Sequence, residues 1–162
     1  MELRDATADD AAAIAAIYNH YVETTVISFE EAPVTAAVMQ ERIAGVQQDG
    51  LPWLVAIADG KVAGYAYATK WRVRAAYRFS VESSVYLDKA RAGKGMGTAL
   101  YQALFARLRA GGRHLCIGGI ALPNDASVAL HEKMGFTKVG QFREVGLKFG
   151  RWIDVGYWEL RL

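Results

Sequence analysis

The segment that decides the fold runs from Val85 to Thr98 and reads VYLDKARAGKGMGT. An apolar strand pattern leads into a loop with glycine at positions 93, 95 and 97, and a helical pattern begins directly after it. At such a helix start, glycines let backbone N–H groups converge on one anion, and the helix dipole strengthens the attraction. Residues 89–113 carry six basic side chains and no acidic one: Lys89, Arg91, Lys94, Arg107, Arg109 and Arg113. The segment therefore predicts a binding site for a phosphorylated ligand, the alternative being a flexible turn.

The glycine spacing narrows the choice of ligand. A P-loop needs Ser or Thr directly after its lysine, whereas Lys94 is followed by Gly95. A Rossmann loop needs G-x-G-x-x-G, whereas these glycines alternate strictly. The pyrophosphate loop of acetyl-CoA-dependent N-acetyltransferases, (Gln/Arg)-x-x-Gly-x-(Gly/Ala), fits except at its first position, where Ala92 stands and Arg91 lies one residue early. Because such a loop binds mainly through backbone N–H groups, we expect it to bind pyrophosphate despite Ala92.

The composition excludes several classes of protein. Of the 162 residues, 52% are hydrophobic and 22% are charged, which is typical of a folded chain rather than a disordered one. The formal net charge of +2 gives no support for a nucleic-acid partner. The acidic N-terminus does not resemble a signal peptide, and no apolar run approaches the roughly 20 residues that cross a bilayer. We therefore expect a single cytoplasmic domain over residues 1–162, without a nucleic acid or a membrane as partner.

Hydrophobic periodicity outlines a mixed sheet flanked by helices. A helix is predicted from Asp9 to about Thr24, capped by Thr7 and Asp10, and a second from Thr35 to Gln48. The residues expected to face the core are Ile14, Ile17, Tyr18 and Tyr21 in the first helix and Val38, Met39, Ile43 and Val46 in the second. The remaining predicted elements are strands Trp53–Ala58, Lys61–Lys70 and Phe79–Leu87, helix Gly97–Ala110, strand His114–Leu122, a short helix ending at Met134, and strands Thr137–Phe149 and Ile153–Leu160. This order indicates an α+β fold with at least one parallel crossover.

Across nearly its full length the chain resembles the GCN5-related N-acetyltransferase (GNAT) superfamily, and within it the phosphinothricin N-acetyltransferase branch. The matching stretches are YNHY at 18–21, VAGYAY at 62–67, VESSVY at 81–86, LPND at 122–125, HEKMGF at 131–136 and GRWIDVG at 150–156. The resemblance implies a sheet of about seven strands with about four helices, acetyl-CoA as co-substrate and a homodimer. It also implies a role in herbicide or antibiotic resistance. The acetyl-CoA site is then expected at Val85, Tyr86, Leu87, Ala92, Gly93, Lys94, Gly95, Met96, Gly97, Thr98, Asn124 and Ser127.

Two residues are candidates for acid–base chemistry in acetyl transfer. Strand alternation separates Glu82 from Val81 and Ser83, so its carboxylate is predicted to line a cleft, where partial burial raises its pKa. The resemblance matches Glu82 to the branch's proposed catalytic glutamate; the alternative is a hydrogen-bonding role within the sheet. His131 falls where many superfamily members carry a tyrosine that protonates the departing sulfur, and it is predicted to act as that acid or to orient the amine. The alternative for His131 is an ordinary core or surface residue.

The acceptor is predicted to be a small amine that carries a carboxylate. Arg72, Arg74 and Tyr77 follow the strand that ends at Lys70 and match family positions near an amino-acid-like substrate, unless they form a solvated loop. The apolar walls are assigned to Phe29, Tyr67 and Val155, the last from a neighbouring subunit if the chain dimerises. The branch implies phosphinothricin, methionine sulfoximine or methionine sulfone as acceptors.

Other mechanisms and functions stay open at this point. Cys116 could carry an acetyl group, but it lies in an apolar strand without an adjacent histidine–carboxylate pair, so an inert core thiol and direct transfer are predicted. One cysteine excludes an intramolecular disulfide and a cysteine-built zinc site, and the histidines lack ligand spacing, so no metal is expected. The acceptor could instead be a polyamine, an aminoglycoside or a protein N-terminus. A different class of function is a catalytically silent acyl-CoA-binding module.

Overall fold

A computed structural model describes residues 1–91 and 95–162 as one mixed sheet flanked by helices. The seven strands lie in the order β1-β2-β3-β4-β5-β7-β6, and the one described parallel pair is β4 with β5. The strands are β1 (Glu2–Asp5), β2 (Trp53–Ala58), β3 (Lys61–Lys70), β4 (Ser80–Leu87), β5 (Leu115–Leu122), β6 (Thr137–Lys148) and β7 (Arg151–Arg161). The helices are α1 (Ala11–Thr24), α2 (Ala36–Gln48), α3 (Met96–Ala110) and α4 (Asp125–Lys133), with short 3-10 turns at Ala8–Asp10 and Ala75–Tyr77. The predicted α+β fold is confirmed.

Sequence patterning did not reveal β1, whose four residues are too few to show a period. This strand is held at the edge of the sheet by antiparallel pairing with β2 and by a hydrogen bond from Ala6 N to Trp53 O at 2.8 Å. An ion pair also supports its position, because the guanidinium of Arg4, a residue of the strand, lies 2.8 Å from the buried Asp10 carboxylate. The partner strand, rather than local sequence, determines this element.

The two N-terminal helices follow the prediction, with two differences. The capping box is present, since Thr7 N donates to Asp10 Oδ2 at 2.8 Å, but the first turn is 3-10 and α1 begins only at Ala11. The Thr35 hydroxyl caps α2 by accepting from Val38 N. Within the helix, Met39, Ile43 and Val46 lie at helical spacing and are buried. Val38 was wrongly placed in the core: it is 38% exposed, because it lies one residue off this stripe.

Side chains of β4 alternate between two differently covered faces of the sheet. Tyr86 packs edge-on against Tyr18 of α1, with ring centroids 5.2 Å apart. On the other face, Ser83 lies 3.5 Å from the hydroxyl of Tyr101 in α3. Glu82 shares the Tyr86 face by strand alternation. The two faces therefore present different neighbours to a molecule bound at the edge of β4.

The pairing of β4 with β5 ends early and opens the sheet. It runs from Ser80 opposite Leu115 to Glu82 opposite Ile117, whereas β4 continues to Leu87 and β5 to Leu122. Beyond Glu82 the two strands enclose a wedge-shaped opening, which we call the wedge. Buried backbone N–H and C=O groups require partners, so the facing edges of the wedge are suited to an extended, hydrogen-bonding ligand.

Candidate active site

The wedge holds a cavity of about 60 Å³ that collects many of the residues predicted from the sequence. It is lined by Ile27, Ser83, Ser84, Val85, Tyr86, Tyr101, Gly119, Ile120, Ala121, Asn124, Ser127 and His131. Four predicted acetyl-CoA contacts are therefore brought together here: Val85, Tyr86, Asn124 and Ser127. The wedge is narrow and its walls are strand edges, which suits the extended pantetheine arm of acetyl-CoA.

At the open end of the wedge, α3 begins with a glycine in a left-handed conformation. Gly95 has φ 78°, which side chains adopt with strain, and its carbonyl accepts the first helical hydrogen bond, from Ala99 N at 2.9 Å. The N–H groups of Met96, Gly97 and Thr98 precede that bond, as at an anion-binding helix start. Gly97 allows close packing, since a Cβ there would lie 3.3 Å from the Leu130 side chain of α4.

The remaining predicted acetyl-CoA contacts before α3 either lie outside the described residues or have partners within the protein. Ala92, Gly93 and Lys94 lie outside the described residues. Leu87 uses its carbonyl to accept a hydrogen bond from the Tyr21 hydroxyl at 2.6 Å. Arg91, which stands one residue before the usual loop position, forms an ion pair with Asp88.

Glu82 is half-buried at the point where β4 and β5 separate. Burial raises the pKa of Glu82 above its ordinary value, and the positive charge of Arg72 partly opposes that increase. The carboxylate lies close to β5: a Cβ at Gly119 would be 3.3 Å from Glu82 Oε1 and 3.1 Å from the Tyr157 ring. Glycine at 119 therefore keeps space open beside the carboxylate, which is the arrangement that the strand alternation predicted.

A cavity of about 280 Å³ lies against Glu82, and we call it the acceptor cavity. It is lined by Ile27, Phe29, Glu82, Gly119, Ala121, Val145, Val155 and Tyr157. Phe29 and Val155 thus lie together on the wall of this cavity, and here both belong to one chain. Ile27 lines both this cavity and the wedge, so the two spaces adjoin near Glu82, where the pairing of β4 with β5 ends.

Arg72 lines a second, larger space next to the acceptor cavity. This groove of about 490 Å³ is lined by Trp71, Arg72, Ile117, Val139, Gly140, Gln141, Phe142, Tyr157 and Glu159. Tyr157 belongs to both spaces and packs edge-on against Trp71, with centroids 5.9 Å apart. The Arg72 guanidinium lies 4.8 Å from the Trp71 ring centroid and is exposed, so it is available to an anionic group of a bound acceptor.

The structure separates Arg72 from three other predicted acceptor residues. Arg74 and Tyr77 lie on the exposed loop between β3 and β4, and the cavities around Glu82 are lined by other side chains. Tyr67 stacks on Trp53 with ring centroids 4.0 Å apart, within the aromatic core beneath α1. Burial raises the pKa of Tyr67, and the neighbouring Ser84 side chain opposes the change.

His131 is buried on the opposite face from Glu82 and both of its ring nitrogens have partners. Nδ1 lies 2.7 Å from Ser127 O, and a carbonyl oxygen only accepts, so Nδ1 carries the hydrogen. Nε2 therefore accepts in the neutral ring, and the Tyr101 hydroxyl donates to it at 3.1 Å. Burial lowers the pKa of His131 and raises the pKa of Tyr101, which favours this neutral pair. Asn124 fixes the start of α4, since its Oδ1 accepts from Ser127 N at 3.1 Å.

Sequence reasoning missed Tyr101, Gly119, Ile27 and Tyr157, which also line these cavities. The leucine spacing in α3 placed the helix face correctly, but it cannot show that the Tyr101 hydroxyl meets His131, 30 residues away. Gly119 carried a usable signal, because a Gly-Gly pair inside an apolar strand indicates close approach of another group. Cys116 is fully buried, and burial raises the pKa of its thiol to about 12, so it is a protonated core thiol.

Comparison with known proteins agrees with this geometry. Residues 3–156 match the family model of the acetyltransferase (GNAT) domain. The chain belongs to the GNAT acetyltransferase family. Together with its relatives, the match establishes an acetyl-CoA-dependent N-acetyltransferase. The wedge and the start of α3 are the parts of this acetyltransferase that fit acetyl-CoA.

Its relatives cover the chain almost completely. The acetyltransferase is 45% identical to the phosphinothricin N-acetyltransferase of Streptomyces viridochromogenes, covering 98% of this chain and 86% of that protein. It is 42% identical to the L-methionine sulfoximine/L-methionine sulfone acetyltransferase of Pseudomonas aeruginosa, covering 99% and 94% of the two chains. Among solved structures, a phosphinothricin acetyltransferase from Sinorhizobium meliloti in complex with acetyl-CoA has a TM-score of 0.96. That structure is 40% identical and is matched over 99% of this chain and 88% of its own.

Residues 1–91 and 95–162 contain no group of three or more His, Cys, Asp or Glu side chains placed to hold a metal ion. Within the same residues, each helix is too short or too polar to cross a membrane.

Proposed function

We propose that this acetyltransferase transfers the acetyl group of acetyl-CoA directly to the α-amino group of a small amino-acid analogue. Phosphinothricin, methionine sulfoximine and methionine sulfone are the leading acceptors. The observation that carries the proposal is the position of Glu82: half-buried, on the wall of the acceptor cavity, at the point where the wedge opens. An amine in the acceptor cavity would therefore meet a carboxylate at the same place where a thioester in the wedge ends.

Glu82 is the proposed general base. An ammonium group must lose a proton before its nitrogen can attack a thioester, and a carboxylate with a raised pKa is a better proton acceptor than an ordinary one. Arg72 is the proposed partner of the acceptor's carboxylate, because a guanidinium offers paired N–H donors to such a group. The same charge opposes the rise in the pKa of Glu82 that burial causes, and so favours the ionised form.

His131 is proposed to serve the leaving group together with Tyr101. The pair lies on the other face of the wedge from Glu82, so the base and the leaving-group residues approach a reacting centre from opposite sides. Asn124 caps the start of α4, and the Ser127 carbonyl accepts from His131 Nδ1, so contacts within α4 fix the orientation of the His131 ring. The remaining predicted cofactor contacts (Val85 to Leu87 and Gly95 to Thr98, with Ala92, Gly93 and Lys94) are proposed to bind acetyl-CoA through backbone groups.

A homodimer is the proposed assembly. The β6–β7 hairpin exposes six large apolar side chains, each more than half exposed: Val139, Phe142, Val145, Leu147, Phe149 and Trp152. So many exposed apolar side chains on one hairpin favour a protein–protein contact, and Val145 also borders the acceptor cavity. A second copy of the chain would cover the hairpin and narrow that cavity. Sedimentation of the wild type against Trp152→Lys tests this, with a monomeric wild type contradicting it.

The remaining proposals concern the biological setting. We place the enzyme in the cytoplasm as a single acetyltransferase domain, since it needs acetyl-CoA and its one cysteine is free. Acetylation removes the positive charge of an α-amino group, so an acceptor that is toxic as a glutamate-like analogue would lose its activity. Resistance of cells expressing the enzyme to methionine sulfoximine is the corresponding measurement.

The test of function is acetyl-CoA-dependent thiol release with a panel of acceptors. The panel holds phosphinothricin, methionine sulfoximine, methionine sulfone, common amino acids, spermidine, an aminoglycoside and a peptide with a free N-terminus. Turnover restricted to the amino-acid analogues is expected, because Arg72 favours an anionic group near the amine. Turnover with polycations or the peptide alone would refute the proposed acceptor. Acetyl-CoA binding without any turnover would favour a silent acyl-CoA-binding module.

A further inference from the structure

Lys148 is a buried lysine that the proposed chemistry does not use. It is the last residue of β6 and is 2% exposed. Its Nζ donates a hydrogen bond to the backbone carbonyl of Ser28 at 2.6 Å and lies 5.0 Å from the Phe149 ring centroid. A buried ammonium group is costly without partners, so these contacts fix where the side chain can lie. Lys148 therefore joins the β6–β7 hairpin to the segment between α1 and α2.

The segment that Lys148 holds forms a wall of the site. Ile27 and Phe29, on either side of Ser28, both line the acceptor cavity, and Ile27 also lines the wedge. The Ser28 side chain is separately engaged, since its Oγ lies 2.7 Å from the Tyr18 hydroxyl and accepts from Glu30 N at 3.2 Å. The side-chain contacts thus hold Ser28 to α1, and the contact from Lys148 holds its backbone to β6.

A second contact from β6 holds the same segment, and it comes from Gly146, two residues before Lys148. The Phe29 ring packs directly on the backbone of Gly146, where a Cβ would lie 2.3 Å from a ring carbon. Any side chain at 146 would therefore displace the ring. Gly146 and Lys148 have the same spacing as residues on one face of a strand, and they receive Phe29 and the Ser28 carbonyl respectively.

We propose that Lys148 is a positioning residue for the amine acceptor, holding Ile27 and Phe29 against the acceptor cavity. This inference rests on the proposed function, because it assigns the cavity beside Glu82 to the acceptor. Lys148 touches neither the wedge nor Glu82 in the described contacts, and of the two residues that it holds only Ile27 borders the wedge, so its loss should affect the acceptor far more than acetyl-CoA.

The kinetic test compares Lys148→Met with Lys138→Met, an exposed lysine on the same strand. For Lys148→Met we expect the acceptor KM to rise about tenfold, as for loss of one hydrogen bond to a charged group. The KM for acetyl-CoA and kcat should stay within about twofold of wild type, a range smaller than one such hydrogen bond, and Lys138→Met should match wild type throughout. Equal increases in both KM values, or an unchanged acceptor KM, would overturn the proposal.

A double mutant separates positioning from general loss of packing. If Lys148 acts through Phe29, then Phe29→Ala combined with Lys148→Met should raise the acceptor KM no more than Phe29→Ala does alone. If the two substitutions instead raise the acceptor KM independently, so that their factors multiply, Lys148 does not act through Phe29. Gly146→Ala supplies a second variant if Lys148→Met fails to fold. It leaves the lysine in place, displaces the Phe29 ring, and is expected to raise the acceptor KM in the same selective way.

Hydrogen exchange tests the contact without any substrate, which distinguishes failure of this inference from failure of the proposed function. In Lys148→Met we expect the amides of residues 27–30 to exchange about tenfold faster, while those of α3 are unchanged. Unchanged exchange at residues 27–30 would contradict the proposal that Lys148 holds this segment in place. A wild type that acetylates no amino-acid analogue would overturn the proposed function, and with it the assignment of Lys148 to acceptor positioning, whatever the exchange result.

Discussion

Glu82 and His131 lie on opposite faces of the same wedge, and their surroundings differ in how their polar atoms are used. Both are desolvated towards the neutral form, since burial raises the pKa of Glu82 and lowers the pKa of His131. Both ring nitrogens of His131 are already bonded, to Ser127 O and the Tyr101 hydroxyl. Glu82 instead faces a cavity, with Arg72 as its nearby opposite charge. Desolvation therefore acts on both residues, but the polar atoms of His131 are used within the protein, whereas the carboxylate of Glu82 faces open space.

The largest effect is expected where the carboxylate itself is removed. Glu82→Gln keeps the shape but cannot accept a proton, so kcat should fall about 100-fold or more. The dissociation constant for acetyl-CoA should change less than about twofold, well under the value of one hydrogen bond, because Glu82 faces the acceptor cavity. The rate of thiol release measures kcat, and titration with acetyl-CoA measures the dissociation constant. Glu23→Gln, an exposed change of the same kind at the end of α1, is the control; comparable turnover in both variants would remove Glu82 from the base role.

The next effect tests the charge opposite Glu82. Arg72→Met should raise the acceptor KM about tenfold, because one charge-assisted contact is lost. It should also move the acid limb of the kcat/KM profile to higher pH. As the proposed base, Glu82 would act when ionised, so activity should fall as pH decreases through its pKa. Arg72 lowers that pKa, and removing Arg72 lets it rise.

The matched variant for this prediction is Arg74→Met, which carries the same charge change on the exposed loop. A smaller increase in acceptor KM and an unmoved acid limb are expected for it. An acid limb that moves equally in both variants would show a general effect of net charge and would contradict a specific role for Arg72.

This pair of arginines also shows what the sequence could and could not predict. Strand periodicity gave the bounds of β2 and β3, and alternation on β4 correctly separated Glu82 from Ser83. Spacing alone cannot rank Arg72 above Arg74, because both follow β3 within a loop. Only tertiary packing brings the charge of Arg72 close enough to Glu82 to lower its pKa. Lys148 illustrates the same limit: its partner is a backbone carbonyl 120 residues away.

A smaller effect is expected on the His131 face. Tyr101→Phe removes the hydroxyl that donates to Nε2, so one buried hydrogen bond is lost while the ring packing against Phe105 remains. A loss of about five- to tenfold in kcat is expected, the value of one neutral hydrogen bond. Tyr65→Phe, the same chemical change in the aromatic core on the opposite face, should keep wild-type kcat. If Tyr101→Phe lowers kcat more than Glu82→Gln does, the His131–Tyr101 pair, rather than Glu82, makes the larger contribution to the rate.

The smallest effect on rate is expected at Cys116, which lies on β5 next to Ser83. A double-displacement route would need its thiolate to reach the thioester, yet the residue is fully buried and burial raises the pKa of its thiol to about 12. At neutral pH the protonated form therefore dominates, and the sulfur packs in the core. Cys116→Ala should leave kcat and both KM values within about twofold, less than one neutral hydrogen bond is worth, while lowering the free energy of unfolding by about 1–2 kcal/mol through the space it leaves.

Two measurements together decide between direct transfer and an acetyl-cysteine. Thermal unfolding of Cys116→Ala is expected to show the lower midpoint, which confirms that the thiol contributes packing. Initial rates at several concentrations of both substrates should give intersecting double-reciprocal lines, because both substrates occupy the enzyme before transfer. Parallel lines in the wild type, with a folded but inactive Cys116→Ala, would establish a covalent intermediate and would mean that Glu82 activates a thiol rather than an amine.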